Sequence, residues 1–379
     1  LSSSRSTPAT YVDRYGVLKT VGPDVIRMNE KGVLIEGAST NLLTFSIPNS
    51  SWTSRRSSIT ENTVSSPVTG GLVTSSTVAS TVIGVSYIYQ NHSYTSGVSY
   101  TASAIVKAGV GSSICRLRLH TDAFDGNKTI EFNLSTGQII DGSDASATVE
   151  VLTDGWYRIS VSGVADATVS TFGPLIYFGD QSVGQSIHVY GVQLEALPFA
   201  SSYIPTAGSP VTRAADSIYI EPIGNLPELN IIKGFTVSAE VNALHEGGDL
   251  ILNKYIWGLY PNSNEHLIMK LSPGNFLTVG SRSDATMYQA SVDTINQTGM
   301  AQKLVGVYES SGAVKAYVDY VETQGGQNLT GKWMDWNFTG GYKIAIGGYN
   351  TSQNLKLWGY IKNFRFFDQA LTADQVKLL

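Results

Sequence analysis

Apolar and polar residues alternate along most of this chain with a period of two. In YTASAIVKA the alternation puts Tyr100, Ala102, Ala104 and Val106 on one face. TIEFNL sends Ile130, Phe132 and Leu134 inward and Glu131 and Asn133 outward. GFTVSAEVN repeats the pattern with Phe235, Val237, Ala239 and Val241, and AVKAYVDY with Val314, Ala316 and Val318. Such alternation predicts half-buried antiparallel strands. Turn signals stand between the runs: DGN at 125, STG at 135, TDG at 153 and SSG at 310. Helical periodicity is confined to the C-terminus, where Thr372 and Gln375 have the spacing of a capping box. The expected class is all-β: two antiparallel β-sandwiches of jelly-roll type with an extended N-terminal arm.

The 379 residues divide into an arm (1–45), a first sandwich (46–205), a linker (206–216) and a second sandwich (217–379). Pro205, Gly208 and Pro210 mark the linker. Proline fixes φ and removes an amide donor, so the segment is expected outside any sheet. The arm is too short for a core of its own, so Tyr11, Val12, Leu34 and Ile35 are expected to pack on a neighbouring surface.

Composition narrows the function. Hydrophobic residues are 42% and charged residues 15%, enough apolar material for cores with a surface left to Ser, Thr, Asn and Gly. Net charge is −5 and no Lys/Arg run occurs, which argues against a nucleic-acid partner. No apolar run is long enough to insert in a membrane. Cys115 is the single cysteine and shares a face with Leu117 and Leu119, so a buried thiol is expected. The chain begins at Leu1 without Met or signal peptide, as expected of part of a longer protein.

Motifs then point to a family. Val192–Asp216 reads VQLEALPFASSYIPTAGSPVTRAAD. The arm carries Arg5, Ala9-Thr10-Tyr11, Asp13, Gly16 and Leu18, then Gly32, Leu34-Ile35-Glu36 and Thr40-Asn41-Leu42-Leu43. Between them lie YTASAIVKA, DGWYRISVSG and IHVYGVQLE. In this order the motifs resemble phage tail-fibre and tailspike proteins that carry a carbohydrate-binding-module-like jelly roll, over about residues 5–216. The C-terminal block, with Ile346, Gly347, Gly359, Ile361, Phe364, Arg365, Phe366, Asp368, Leu371 and Gln375, resembles the concanavalin A-like (laminin-G-like) fold. That family includes lectins, adhesins and some glycanases. The resemblance implies a virion tail fibre or tailspike. Its expected partners are a bacterial surface polysaccharide (capsule or lipopolysaccharide) and virion tail proteins reached through a further N-terminal region. A homotrimer is implied as well.

Catalysis finds little support in the residues. A glycanase needs two carboxylates flanking the scissile bond, and no E-x-D-x-E or E-x-D-x-x-E string occurs. GQNLTGK from Gly326 has Trp333 where a P-loop has Ser or Thr. The His and Cys residues show no zinc spacing.

Glycan binding needs flat rings for a sugar's C–H face and polar groups for hydroxyl pairs. Trp333, Asp335, Trp336 and Asn337 in GKWMDWNFTGG fit, although the two Trp could equally plug and cover one end of the sandwich. A second cluster is Trp257, Tyr260 and His266, with Arg282 and Tyr288 nearby in sequence. Tyr87 and Tyr89 share a strand face and could make a sugar platform, or serve as core or interface. Trp156 and Trp358 read as core. Asp122, Asp125 and Asn127 in TDAFDGNKT resemble an oxygen-rich calcium loop and equally an ordinary hairpin turn. Glu195 could cap a metal site or hydrogen-bond to the arm. The leading expectation is a glycan-binding receptor module with no catalysis in this chain. A depolymerase or its targeting modules, and a structural spacer or head-decoration fibre, are the alternatives.

Overall fold

A computed structural model describes residues 1–68, 74–142, 146–178, 182–220, 233–244, 254–259, 266–272, 276–283, 286–293, 301–322, 344–348 and 356–379. The chain is all-β with antiparallel pairing between its named strands, as the alternation predicts. Asp154 and the glycines of all four turn signals, Gly126, Gly137, Gly155 and Gly312, have positive φ. At the C-terminus Ala373–Val376 forms a short helix. Thr372 caps it, and Gln375 returns the bond to the Thr372 amide. Among the described residues no helix is long and apolar enough to cross a membrane.

The chain forms two compact units, and neither is a contiguous stretch. One comprises Leu1–Thr7, Pro23–Ala38 and Ala214–Leu379; the other comprises Pro8–Gly22 and Ser39–Arg213. The first 45 residues are extended, as expected, but they do not form a separate arm. Their strands are distributed between the two units.

In the C-terminal unit, two seven-stranded sheets are present among the described residues. Each takes strands from the chain's beginning. Ser2–Ser4 pairs with Ser217–Ile220 at the edge of one sheet. Gly32–Ile35 pairs with Gly359–Phe367 in the other. Gly32 sits at φ 121°, where a Cβ would lie 2.3 Å from the Ile361 carbonyl oxygen, so a side chain would break this pairing. The inward faces meet in one core. Phe235 stacks between Tyr308 (4.3 Å) and Phe366 (5.0 Å), and Trp257 meets the stack edge-on.

A charged network buried in this unit ties the early strands to the later chain. Arg5 Nη1 donates to Asp216 Oδ1 at 2.7 Å, and Arg27 Nη1 to Glu36 Oε2 at 2.6 Å. Arg27 Nη2 reaches the second Asp216 oxygen, which also accepts the Glu36 amide at 2.9 Å. The four side chains are at most 2% exposed. Desolvation opposes Arg27's charge, but Glu36 and Asp216 outweigh it and hold its pKa above the ordinary value. Charges taken this far from water persist only when each is paired and hydrogen-bonded.

In the other unit, two six-stranded sheets pack across a core that includes Val106, Cys115, Leu117, Ile130, Phe132 and Ile176. The Cys115 thiol is fully buried, and burial pushes its pKa up to about 12, an inert state. Ser99–Ala108 departs from the simple alternation. Thr101, Ser103 and Ile105 are buried along with Ala102, Ala104 and Val106. The reason is a third layer. Leu18, from the hairpin Ala9–Val12/Leu18–Val21, packs with Ile105, Leu152, Trp156, Tyr190 and Tyr203 over the second face of this sheet.

A mostly neutral polar network fastens that layer. Asn41 Nδ2 donates to the carbonyls of Ile204 (2.9 Å) and Val192 (3.2 Å), and its Oδ1 accepts the amides of Leu43 and Leu194. Gln193 Oε1 accepts the Ile204 amide at 2.7 Å, and Thr10 Oγ1 donates to the Tyr203 carbonyl at 2.6 Å. Glu195 is fully buried and accepts from Ser39 Oγ (2.6 Å), the Ser201 amide (2.9 Å) and the Ser201 hydroxyl. Glu195 thus bonds to the early chain, one of its two expected roles. The expected linker is part of this structure too. Val211–Arg213 pairs with Ser39–Asn41, because the prolines at 205 and 210 lie before the strand and leave its amides free to pair.

Candidate functional site

The six-stranded sheet Gln138–Asp141, Lys128–Asn133, Ile114–Leu119, Leu175–Phe178, Ser86–Tyr89, Thr53–Arg55 turns Cys115, Leu117, Ile130, Ile176 and Ile88 into the core. Alternation sends the intervening residues to the opposite face. The register aligns Glu131, Arg116, Tyr177, Tyr87 and Arg55 in one cross-strand row over five strands. Arg118 and Tyr89 follow, two residues along their strands.

This row forms an aromatic and cationic belt. Tyr87 and Tyr177 have ring centroids 4.9 Å apart, Tyr87 and Tyr89 6.1 Å. Phe172 extends the surface, 4.9 Å from both Tyr89 and His120. The Arg118 guanidinium lies 4.8 Å from the Tyr177 ring centre, and its Nε donates to Thr129 Oγ1 at 3.1 Å. Arg55 lies over Tyr87 and donates to its hydroxyl at 3.1 Å. Arg116 is paired with Glu131 at 2.6 Å, and this hydrogen bond raises its pKa. Tyr177 is held above the ordinary phenol value by burial, with Arg118 pulling the other way. The belt offers half-exposed rings for C–H faces and guanidinium donors for oxygen pairs.

Tyr87 and Tyr89 are therefore brought together as their shared face predicts. Tyr177, Phe172, Arg55 and Arg118 are the partners that sequence reasoning missed. One signal was present: Arg116 and Arg118 alternate with Cys115, Leu117 and Leu119, so a buried thiol face requires an arginine face behind it.

Other expected positions fall elsewhere. Trp257 is corrected: it is fully buried, wedged edge-on against Phe235 and Tyr308, and cannot meet a ligand. His266 is also corrected, being 4% exposed on a strand buried between neighbours. Backbone pairing sets Arg282 opposite His266 and Met287, and Tyr288 opposite Ser281. Trp333, Asp335, Trp336, Asn337 and Tyr260 lie outside the described residues. Trp156 and Trp358 are buried, as expected.

The TDAFDGNKT loop closes a turn with its own oxygens. Asp122 Oδ2 accepts from Thr171 Oγ1 at 2.7 Å, its Oδ1 lies 3.2 Å from His120 Nδ1, and Asn127 Oδ1 accepts the Thr121 amide at 3.2 Å. Asp125 is exposed. Among the described residues, no three His, Cys, Asp or Glu side chains are grouped to hold a metal ion.

With two antiparallel sheets around one core, the C-terminal unit is a β-sandwich by architecture. Residues 215–377 match the model of the concanavalin A-like lectin/glucanases superfamily. The Ser2–Ser4, Met28–Asn29 and Gly32–Ile35 strands of the unit's sheets lie outside the matched range.

Solved structures show distant likeness. A SAP-like pentraxin from Limulus polyphemus is 16% identical over 38% of this chain and 68% of its own, with TM-score 0.31. The CBM40 of a Ruminococcus gnavus IT-sialidase, bound to alpha2,3 sialyllactose, is 13% identical over 43% of this chain and 95% of its own, with TM-score 0.33. The NanB sialidase of Streptococcus pneumoniae is 17% identical over 43% of this chain, with TM-score 0.34, and only 26% of its length is covered. These scores are too low to carry an argument about function. No curated protein matches the chain.

Proposed function

We propose that this chain is the receptor-binding part of a phage tail fibre or tailspike and recognises a bacterial cell-surface glycan, capsule or lipopolysaccharide, without itself cutting it. The observation that carries the reading is the match of residues 215–377 to the concanavalin A-like lectin/glucanases superfamily. The ordered motifs of residues 5–216 supply the virion context by resemblance, and the half-buried aromatic belt supplies a second glycan-compatible surface. A homotrimeric fibre, joined to other virion tail proteins through an N-terminal region, would present each site three times. Weak single-site sugar affinity would then rise through multivalency.

The test is adsorption of the purified chain to host cells, alongside an array of bacterial capsular and lipopolysaccharide glycans. Saturable binding to a defined glycan is expected. Absence of binding to cells and array alike rejects the receptor role. Release of new reducing ends from a bound polysaccharide rejects the non-catalytic part.

A further inference from the structure

We infer that the Arg–Tyr belt on the outer face of the Thr53–Arg55/Ser86–Tyr89/Leu175–Phe178/Ile114–Leu119 sheet binds an acidic polysaccharide, and that it is a glycan site separate from the concanavalin A-like domain. The inference rests on the glycan-receptor reading above and names the ligand class for one surface.

Three observations carry it. First, the rings are presented outward. Tyr87, Tyr89 and Tyr177 are half-buried on a face whose reverse is the core, so their partial exposure is set by strand register, and Phe172, from the neighbouring Asn91–Tyr94/Val169–Phe172 pair, is half-buried beside Tyr89. Second, two guanidiniums bracket the central tyrosine pair without a carboxylate. Arg118 has Thr129 and Tyr177 as its partners and Arg55 has Tyr87, with no acidic partner for either among the described residues. Arg116, in the same row, is neutralised by Glu131. Among the described residues, the acidic groups bordering the belt are Glu131 on Arg116, Asp141 opposite Glu131, and Asp122 held by Thr171 and His120. Third, Arg118 and Arg55 stand on strands three spacings apart, about 14 Å. That span exceeds one sugar ring, so the ligand is an extended chain that runs along the half-exposed Tyr87, Tyr89 and Tyr177 rings and brings anionic groups to the guanidiniums held against them. A guanidinium over an aromatic face is already oriented to pair bidentately with a carboxylate or phosphate.

The experiment uses the full chain on purified capsular polysaccharides, one set bearing uronate or sialate and one neutral. Arg118→Ala, Arg55→Ala and Tyr177→Ala are compared with the parent, and their melting curves check folding. Acidic members are expected to be retained. Each arginine substitution should weaken them about tenfold or more, as for loss of a charged hydrogen bond. Raising NaCl should weaken them further. Charge reversal with Arg118→Glu should abolish their binding while the melting curve holds. Binding of acidic members that ignores all of these changes overturns the inference, as does exclusive binding of neutral glycans; both leave the receptor reading standing. Self-association lost on Arg118→Glu, with glycan binding intact, shows the belt to be an interface between copies and also overturns it. Absence of binding to either set rejects the receptor reading and this inference together.

Discussion

Each unit holds a buried polar network that binds the chain's first residues to its later strands, and the two are built differently. In the C-terminal unit the network is ionic: Arg5, Arg27, Glu36 and Asp216, all nearly inaccessible. In the other it is mostly neutral, with Asn41 and Gln193 meeting backbone groups and Glu195 receiving hydroxyls and an amide. The difference matters because a broken ion pair leaves an uncompensated buried charge, whereas a broken neutral bond leaves only an unsatisfied dipole. The ionic network should therefore be the more brittle of the two.

The most damaging change should be Asp216→Ala, which removes the carboxylate paired with Arg5 and one of the two paired with Arg27. It is expected to cost about 3–5 kcal/mol, read from urea unfolding of the C-terminal unit. A cost below that of Asn41→Ala would reverse the ranking of the two networks. Asn41→Ala removes contacts to four backbone groups and should cost about 1–3 kcal/mol, confined to the other unit. A local cap gives a reference unrelated to either network. Thr372→Ala should cost about 1 kcal/mol or less in thermal melting, and a larger loss would mean the short terminal helix matters more than its size suggests.

The smallest expected effect is a pH slope. Burial lowers the pKa of His92, which packs edge-on against Tyr94 and Tyr100. The folded chain then holds this imidazole neutral where the unfolded chain would protonate it. Stability is level above the ordinary imidazole value of 6.5 and falls as pH drops below it, towards the lowered folded value. His92→Gln should flatten that slope in melting curves recorded between pH 7 and 5. An unchanged slope would assign it to His188, whose pKa burial also lowers.

Much of the fold could be read from the residues because strand alternation is a local signal. Ile130 and Phe132 went inward, Glu131 outward, and the glycines of the turn signals took positive φ. The placement of the first 45 residues could not be read this way. Arg5 finds Asp216 across 211 positions, and no periodicity reports a pairing that distant. The family-like motifs marked the right residues, since Arg5, Glu36, Asn41, Glu195 and Asp216 are all network members, but their role is to hold the strands together. Trp257 misled because tryptophan beside tyrosine and histidine looks like a sugar platform, while its strand is buried on both faces. In the belt, the same-strand pair Tyr87 and Tyr89 was visible, and the cross-strand partners Tyr177, Arg118 and Arg55 depended on register.

The most direct test of the central claim, that this chain holds polysaccharide through the Arg–Tyr face, is a paired measurement on an Arg55→Ala/Arg118→Ala double variant. Its melting curve and its retention of an acidic capsular polysaccharide are compared with those of the parent chain. The account predicts an unchanged melting curve and a loss of retention of about a hundredfold or more, the product of two charged contacts. Full retention, or a loss matched by unfolding, would contradict it.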